Sequence, residues 1–453
     1  MNLPNYFLAD LPAGATLNAT MISEACHALK RNRDKYLAGR PTQSLVATLS
    51  DLAENWLDAH YPFRQLALQI GPETTAFSVA TFTAGLDAFF SQLTADNLHT
   101  LLQQELGHVQ RLDQFVATAG EHKAQRTALA TGPRLLVHIA AGNLPSPTLM
   151  SVVLGLLVRS GQFVKCATGA DLLPRLFAHS LYEVEPKLGA CLEIAVWKGG
   201  RTDLEEALYA GADCVTAVGS DETLTEVRRH LPANVRFLGY GHRVSFGYLA
   251  HEVLSSYGAK KIAAKAAADV VAWNQLGCLS PHLFYVERGG AVSPELFAEM
   301  LADELARLET VEPRGRISPD EAAAIASRRA LYEVRATASN DTRQWQSGGS
   351  TAWTVVYEAD TGFQLSCLNR FIYVKPVTQL AETLRAIEPM RGKVSTVGLA
   401  ATGMRAEQLA IELARWGVTR ICPIGQMQTP PLTWRHDGRP GLGDLVTWTD
   451  WEQ

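Results

Sequence analysis

The sequence predicts an α/β protein in two blocks, the first built on a parallel sheet, and two observations carry that prediction. Beyond Pro133, short apolar runs rich in β-branched residues alternate with helical stretches, and the runs start about 20–30 residues apart, the spacing of successive strand–helix–strand units. The same alternation resumes beyond Lys260 and gives a second block. Continuous apolar strands bounded by helices imply sheets covered on both faces. Ligands of such sheets bind beyond the carboxyl ends of the strands.

Residues 1 to about 130 read as mostly helical, with apolar residues at three- and four-residue spacing in Leu45–Leu57 and Asn97–Phe115. The strands of the first block are Leu135–Ala140, Phe163–Ala167, Leu192–Trp197, Cys214–Val218 and Val235–Leu238. The longest apolar stretch, Leu144–Val158, contains Pro145 and Pro147 and reads as a buried helix, too short and too broken to span a bilayer. In the second block a helix over Lys260–Trp273 leads through the loop Asn274–Pro281 into the strand Leu283–Glu287. Helices over Pro294–Leu308 and Pro319–Ala338 follow, then strands at Trp353–Tyr357, Phe371–Val374, Val394–Gly398 and Thr419–Cys422. The tail, Gly443–Trp451, reads as an edge strand. The domain boundary falls near residue 240, giving segments 1–239, 240–442 and 443–453.

Composition narrows the function. A chain of 453 residues has room for two to four domains and large cores. Lys plus Arg is 41 and Asp plus Glu is 46, a net charge of −5 that argues against a general nucleic-acid or anionic-membrane surface. The opening MNLPNYFLADLPAG lacks a basic region followed by an apolar one, so no secretory signal is visible. The seven cysteines are odd in number and scattered, with no CxxC pair. A disulfide framework or a zinc site is therefore not expected, and a cytoplasmic location is. The absence of HExxH, GxxxxGK[ST], GxSxG and an EF-hand loop removes the main support for several hydrolase readings.

Five places carry candidate chemistry, each with a plainer account beside it. Cys278 lies in NQLGCLSPH, a punctuated loop suited to presenting a thiolate nucleophile, with His282 four residues on; the alternative is a buried structural cysteine. Asn143, in HIAAGNLPSP between a strand and a helix, is placed to donate to an oxyanion or to cap a turn. Lys165 ends a strand, to meet a nucleotide or simply solvent. Gly219 and Ser220 open a helix whose free N–H groups either receive phosphate or are capped by Ser220, with Asp221 and Glu222 following. GYGHRVSFG, residues 239–247, holds Gly239, Gly241, His242 and Arg243 in either a cleft loop or a tight interdomain turn, and PPLTWRHDGRPGLGD either covers a site or carries solvated charges.

GNLP, GYGHRVSFG, QLGCLSPH with FYVE soon after, and PPLTWRHDGRP together resemble the acyl-CoA reductase family, a branch of the aldehyde dehydrogenase superfamily, from about Leu135 onward. The resemblance implies a Rossmann-like cofactor domain, an α/β catalytic domain, and a small β bridge joining residues near 115–132 to the tail. It implies Cys278 as nucleophile and Asn143 as oxyanion donor. Lys165, Thr168, Gly219, Ser220, Gly239 and Gly241 become the cofactor-binding set, with no metal. His282 and His242 are the proton-transfer candidates. Two departures refine it. Where oxidising relatives carry a Glu that activates water, this chain reads Phe237-Leu238-Gly239-Tyr240-Gly241. Where many relatives carry a carboxylate after the Lys, it reads Cys166-Ala167-Thr168. A third departure, Asn369-Arg370-Phe371 in place of Glu-Ile-Phe, touches the nicotinamide-ribose contact.

The expected activity is therefore NADPH-dependent reduction of a fatty acyl thioester to the aldehyde through a Cys-bound acyl-enzyme, with NADH as the other candidate cofactor. The donor is an acyl-CoA, an acyl carrier or an acyl-protein, which makes an acyl-protein synthetase a candidate partner. The exposed tail predicts a homo-oligomer. The competing readings are a CoA-acylating or oxidising aldehyde dehydrogenase, and a non-catalytic subunit that binds acyl carriers.

Overall fold

The computed structural model describes residues 3–12, 14–142 and 144–453. The chain divides into two compact units. One comprises Met1–Thr75, Leu86–Gly241 and Pro431–Gln453; the other comprises Ala76–Gly85 and His242–Pro430.

The first unit opens with helices. Asn18 caps Ala19–Asn32 by accepting from Met21 N at 3.0 Å. The helix begun at Ala95 stops at Leu106, because Gly107 adopts φ +73° and reverses the chain. The periodicity predicted a longer helix, to Phe115; a left-handed C-cap overrides apolar spacing. The strands are β1 (Arg126–Thr131), β2 (Leu135–Ile139), β3 (Gly161–Cys166), β4 (Leu192–Val196), β5 (Cys214–Val218) and β6 (Arg236–Tyr240). β2 to β6 form a parallel sheet in the order β4-β3-β2-β5-β6. The chain reverses its winding between β2 and β5, which opens a crevice beyond their carboxyl ends. The helix Ser146–Leu157 packs its apolar face into this unit, as the buried run predicted. Polar groups at the centre are paired. His138 Nδ1 meets Thr216 Oγ1 at 2.7 Å, and its Nε2 meets Gln162 Oε1 at 2.8 Å.

The second unit holds a seven-stranded sheet. Its strands are β7 (Val244–Leu249), β8 (Pro281–Glu287), β9 (Thr342–Gln346), β10 (Thr354–Glu358), β11 (Phe371–Val377), β12 (Val394–Ala400) and β13 (Arg420–Pro423). The order is β13-β12-β7-β8-β11-β10-β9, parallel except for β9. One face packs Phe284, Val286, Ile372 and Val374 against the helices Ser256–Val271 and Pro294–Val311. The other packs Phe246, Tyr285 and Tyr373 against Ile325, Tyr332 and Leu413. The tail, in the first unit, is β14 (Thr447–Glu452), antiparallel to β1.

Three strands escaped the apolar pattern, β1 being reached only through the bridge that the resemblance implied. β9 is the polar edge segment TRQWQ. β7 falls inside GYGHRVSFG, expected to be a cleft loop or an interdomain turn. The structure divides that motif: Gly239 and Tyr240 finish β6, and Val244–Gly247 begin a fully buried central strand. Ser245 and Gly247 break its apolar run, each for a tertiary reason. A Cβ on Gly247 would lie 2.2 Å from the Phe284 ring on β8, so only glycine lets the two strands pair there. Gly247→Val is expected to destabilise the protein by about 1–3 kcal/mol through overpacking, read as a lower midpoint in urea denaturation with an unchanged slope.

Candidate active site

The loop that carries Cys278 is built on strained backbone. Trp273, Asn274 and Gln275 take φ of 51°, 52° and 62° in succession, so the chain makes a left-handed turn as it leaves the helix Ser256–Val271. Each such residue costs about 1–2 kcal/mol relative to right-handed backbone. A second run, Leu368, Asn369 and Arg370, takes φ of 59°, 53° and 66° before β11. The two turns lock together: Asn369 N donates to Asn274 O at 2.9 Å, and Arg370 Nε donates to Asn274 Oδ1 at 3.0 Å. Asn274 Nδ2 donates to Arg314 O at 2.8 Å, and Gln275 Nε2 donates to Pro281 O and Phe371 O at 2.9 and 3.1 Å. The Trp273 ring lies where a Cβ on Gly85 would intrude to 2.0 Å. Asn274 and Gln275 open the NQLGCLSPH motif and Asn369 and Arg370 belong to the departure Asn369-Arg370-Phe371, but the backbone role of these residues, and the part of Trp273, had no local signal in the sequence; together they set the path of the nucleophile loop.

Cys278 itself is partly exposed at the amino-terminal edge of the second sheet, ahead of β8. Its carbonyl accepts from Ser245 Oγ at 2.8 Å. Cys26, Cys166 and Cys191 are buried, and burial pushes each thiol up to about 12. Cys422 is pushed up to about 11, and burial also raises Cys367 and Cys214. His282 lies within β8 and is buried; its Nδ1 accepts from Ser366 N at 3.2 Å. Burial, and then the neighbouring His242, hold its imidazole down to about 4. His242 opens the second unit and is exposed.

The cofactor candidates belong to the first unit, at the carboxyl edge of its sheet. Lys165 sits in β3 with its Nζ 5.8 Å from the Trp197 ring centroid, and burial lowers its pKa. Among the described residues no carboxylate pairs with it. Thr168 lies exposed in the turn that follows, ahead of Gly169 at φ +81°. Ser220 caps the helix Asp221–His230, its Oγ accepting from Thr223 N at 3.3 Å, and Gly219 N donates to Tyr240 O at 3.2 Å. That helix start already holds a capping hydroxyl and two carboxylates, which oppose an anion there. Gly239 in β6 and Gly241 just beyond it face Leu224 and Asp221. Gly239 O accepts from Arg439 at 3.2 Å, while Tyr240 stacks on His436 at 4.5 Å. The WRHDGR segment therefore lies against the end of β6. Asn143 lies outside the described residues. A buried lysine at the carboxyl edge of β3, beside the exposed Thr168 turn, has the charge to meet the anionic part of a nucleotide.

A further cluster sits at the opposite, carboxyl edge of the second sheet. His251, Glu252 and Glu287 bring donor atoms within 4.8 Å of one another. Glu287 already accepts from His251 N at 2.9 Å, from Tyr248 Oη and, on both its oxygens, from Arg405 Nη2. It is an ion-pair network that staples β7 and β8 to the helix Gly403–Trp416.

The fold is that of the aldehyde dehydrogenases. It is similar to an NAD-dependent benzaldehyde dehydrogenase from Corynebacterium glutamicum, with a TM-score of 0.70 at 13% identity, covering 99% of this chain and 94% of that one. It is also similar to Bradyrhizobium japonicum proline utilization A, with a TM-score of 0.72 at 16% identity, covering 96% of this chain but only 45% of that longer one. The acyl-CoA reductase (LuxC) family profile matches residues 37–448, and the chain belongs to that family. Relatives include the long-chain acyl-protein thioester reductase of Aliivibrio fischeri, 24% identical over 369 residues, which are 79% of this chain and 71% of the relative. The Photorhabdus laumondii protein of the same name is 21% identical over 420 residues, 90% and 82% of the two chains. Among the described residues no helix is long and apolar enough to cross a membrane.

Burial of neutral His282 has a measurable consequence. Its folded pKa lies below its unfolded value near 6.5, so it stabilises the fold above that pH and loses this contribution as pH falls toward 4. His282→Val is expected to be less stable than the parent at pH 7.5, with the gap narrowing between pH 6.5 and 4.5. Urea midpoints measured across that range check it.

Proposed function

We propose that this protein reduces a fatty acyl thioester, acyl-CoA or acyl-protein, to the aldehyde with NADPH. The observation that carries the reading is the half-exposed Cys278 thiol on a braced loop, in a chain whose Phe237–Gly241 segment offers no carboxylate to activate water. In this reading Cys278 Sγ attacks the thioester carbonyl. Asn143 and a backbone N–H, that of Cys278, take the oxyanion. The carbon–sulfur bond to the donor breaks, leaving an acyl thioester on Cys278. The departing thiolate takes a proton, a duty that exposure favours for His242 over buried His282. NADPH, when bound, supplies the hydride. Cys278 then leaves as thiolate while the carbonyl re-forms as aldehyde. Lys165, Thr168, Gly219, Ser220, Gly239 and Gly241 are the residues assigned to the cofactor. The bare edge of β14, with Trp448 and Trp451 exposed, supports pairing with a second copy.

Intact-mass measurement after adding a long-chain acyl-CoA tests the nucleophile. The parent is expected to gain one acyl group, and Cys278→Ala none while still binding nucleotide; an adduct mapped to Cys166 or Cys367 overturns the assignment. Asn143→Ala is expected to slow acyl-enzyme formation by about 10²–10³-fold, the loss of one oxyanion donor. A fall in thermal stability alone, with the acylation rate intact, would make Asn143 a structural cap.

Cofactor choice follows from Lys165. With Cys166, Ala167 and Thr168 after it, no carboxylate follows directly to repel a 2′-phosphate; Glu205 acts on the ammonium from a distance, but among the described residues no ion pair holds it. A charge-assisted hydrogen bond to that phosphate contributes roughly 1.5–3 kcal/mol, so NADPH is expected to bind about tenfold or more tighter than NADH. Titration of both into the parent and into Lys165→Ala decides it: the substitution is expected to erase the difference, and equal affinities in the parent overturn it.

A further inference from the structure

Arg420 begins β13 and is 8% exposed. The strand registers set it in a row: Arg420 beside Thr396, Thr396 beside Ser245, and Ser245 beside Pro281. That row crosses β13, β12, β7 and β8 at the edge where the Cys278 loop enters the sheet. Contacts run along it. Arg420 Nη1 lies 3.5 Å from Thr396 Oγ1, Thr396 N donates to Ser245 Oγ at 3.1 Å, and Ser245 Oγ donates to Cys278 O at 2.8 Å.

The guanidinium is aimed from its other side. Nη1 donates to Met427 O and Nη2 to Gln426 O, each at 2.7 Å. The turn bearing those carbonyls is held by buried Asp269 of the helix Ser256–Val271, which accepts from Gly425 N at 2.6 Å and Met427 N at 2.9 Å. The next residue, Gln428, donates to Ser280 Oγ, two residues past Cys278. The segment that fixes the cation therefore also grips the nucleophile loop. Burial holds the Arg420 guanidinium below its usual range, and Cys422, Asp269 and Cys278, in that order, act on it in the opposite sense when ionised; a charge coupling of this kind is reciprocal, so the guanidinium lies where it can act on Cys278 in turn.

We propose that Arg420 is the positioning cation that keeps Cys278 ionised, fixed over the loop by the Asp269-held turn 425–427. This rests on the reading of Cys278 as the nucleophile. The titratable groups that act on the charge of Arg420 are Cys422 on β13, Asp269 on the helix Ser256–Val271 and Cys278 itself. Among these groups the guanidinium is the cation. A neighbouring positive charge lowers a thiol pKa by about one unit or more, so removing it is expected to cut the thiolate fraction at neutral pH about tenfold.

The test is the rate of Cys278 alkylation by iodoacetamide between pH 6 and 10, followed by peptide mass on the full chain, with thermal melting as the folding control. Arg420→Met removes the charge and both donors. Arg420→Gln removes the charge but keeps an amide donor for the turn, and covers the case in which the methionine variant does not fold. Arg420→Lys keeps the charge. The expected result is an alkylation profile moved up by about one unit in the Gln and Met variants, and close to the parent in the Lys variant. A Gln variant that folds and titrates like the parent overturns the proposal; so does a Lys variant displaced as far as the Gln one. The profile needs no acyl substrate. A displaced profile with no acyl adduct on Cys278 therefore refutes the thioester reading and leaves the cation in place, whereas an adduct with an undisplaced profile refutes only the cation.

Discussion

The second unit depends on the contact between two left-handed turns, Trp273–Gln275 and Leu368–Arg370. Neither is stable alone, because six non-glycine residues hold positive φ at about 1–2 kcal/mol each. They persist because each satisfies the other. Asn274 uses its carbonyl on Asn369 N and its side-chain oxygen on Arg370, and its amide on Arg314 O. Arg370 is 1% exposed and also reaches Glu309 Oε2 at 2.8 Å and Glu312 O at 2.7 Å. Hydrogen bonds to charged groups contribute about 1.5–3 kcal/mol each, so the several that Arg370 makes offset a cost of the order of one turn. The strain is thus held at the place where the loop must lift a thiol from the sheet edge.

From that constraint the rest of the site follows. The segment between β10 and β11 runs back along one face of the sheet, with Phe363 and Cys367 packed on the core beneath, and delivers Asn369 and Arg370 to the amino-terminal edge. Ser366 N meets His282 on the way. On the other side of Cys278, the parallel strands β7, β12 and β13 bring Ser245, Thr396 and Arg420 level with it. Central strands have both neighbours fixed by ladder hydrogen bonds, so a row across them is among the least mobile placements a fold offers. A nucleophile tied to such a row is held in orientation before any substrate arrives, which is where much catalytic advantage originates.

The two sheets place their candidate groups at opposite ends of the strands. In the first unit the lysine, the Ser220 cap and the aromatic stack of Tyr240 and His436 gather at the carboxyl edge, where winding reverses between β2 and β5. In the second, Cys278 stands at the amino-terminal edge, while the carboxyl edge is closed by the Glu287–Arg405 network. Glu287 is fully buried, and four donors share it, so that end serves as a charged staple rather than an open crevice.

The sequence by itself determined the α/β class, most of the parallel strands, and Cys278 and Lys165 as places to look. Apolar runs of four to seven residues and Gly- or Pro-marked loops are local signals, readable without a partner strand. It also showed the missing carboxylates after Phe237 and Lys165, since absence in a short segment needs no geometry to detect. Three matters were left to tertiary structure. β7 hides behind Ser245 and Gly247, whose small side chains make sense only against Phe284 and the Cys278 carbonyl. The left-handed turns have no glycine to announce them, because long-range hydrogen bonds rather than local propensity hold their backbone. Arg420 lies 142 residues from Cys278 in the chain, and no local pattern links them. Strand order alone decided that it stands level with the nucleophile loop, because pairing in a parallel sheet is set by packing among distant segments.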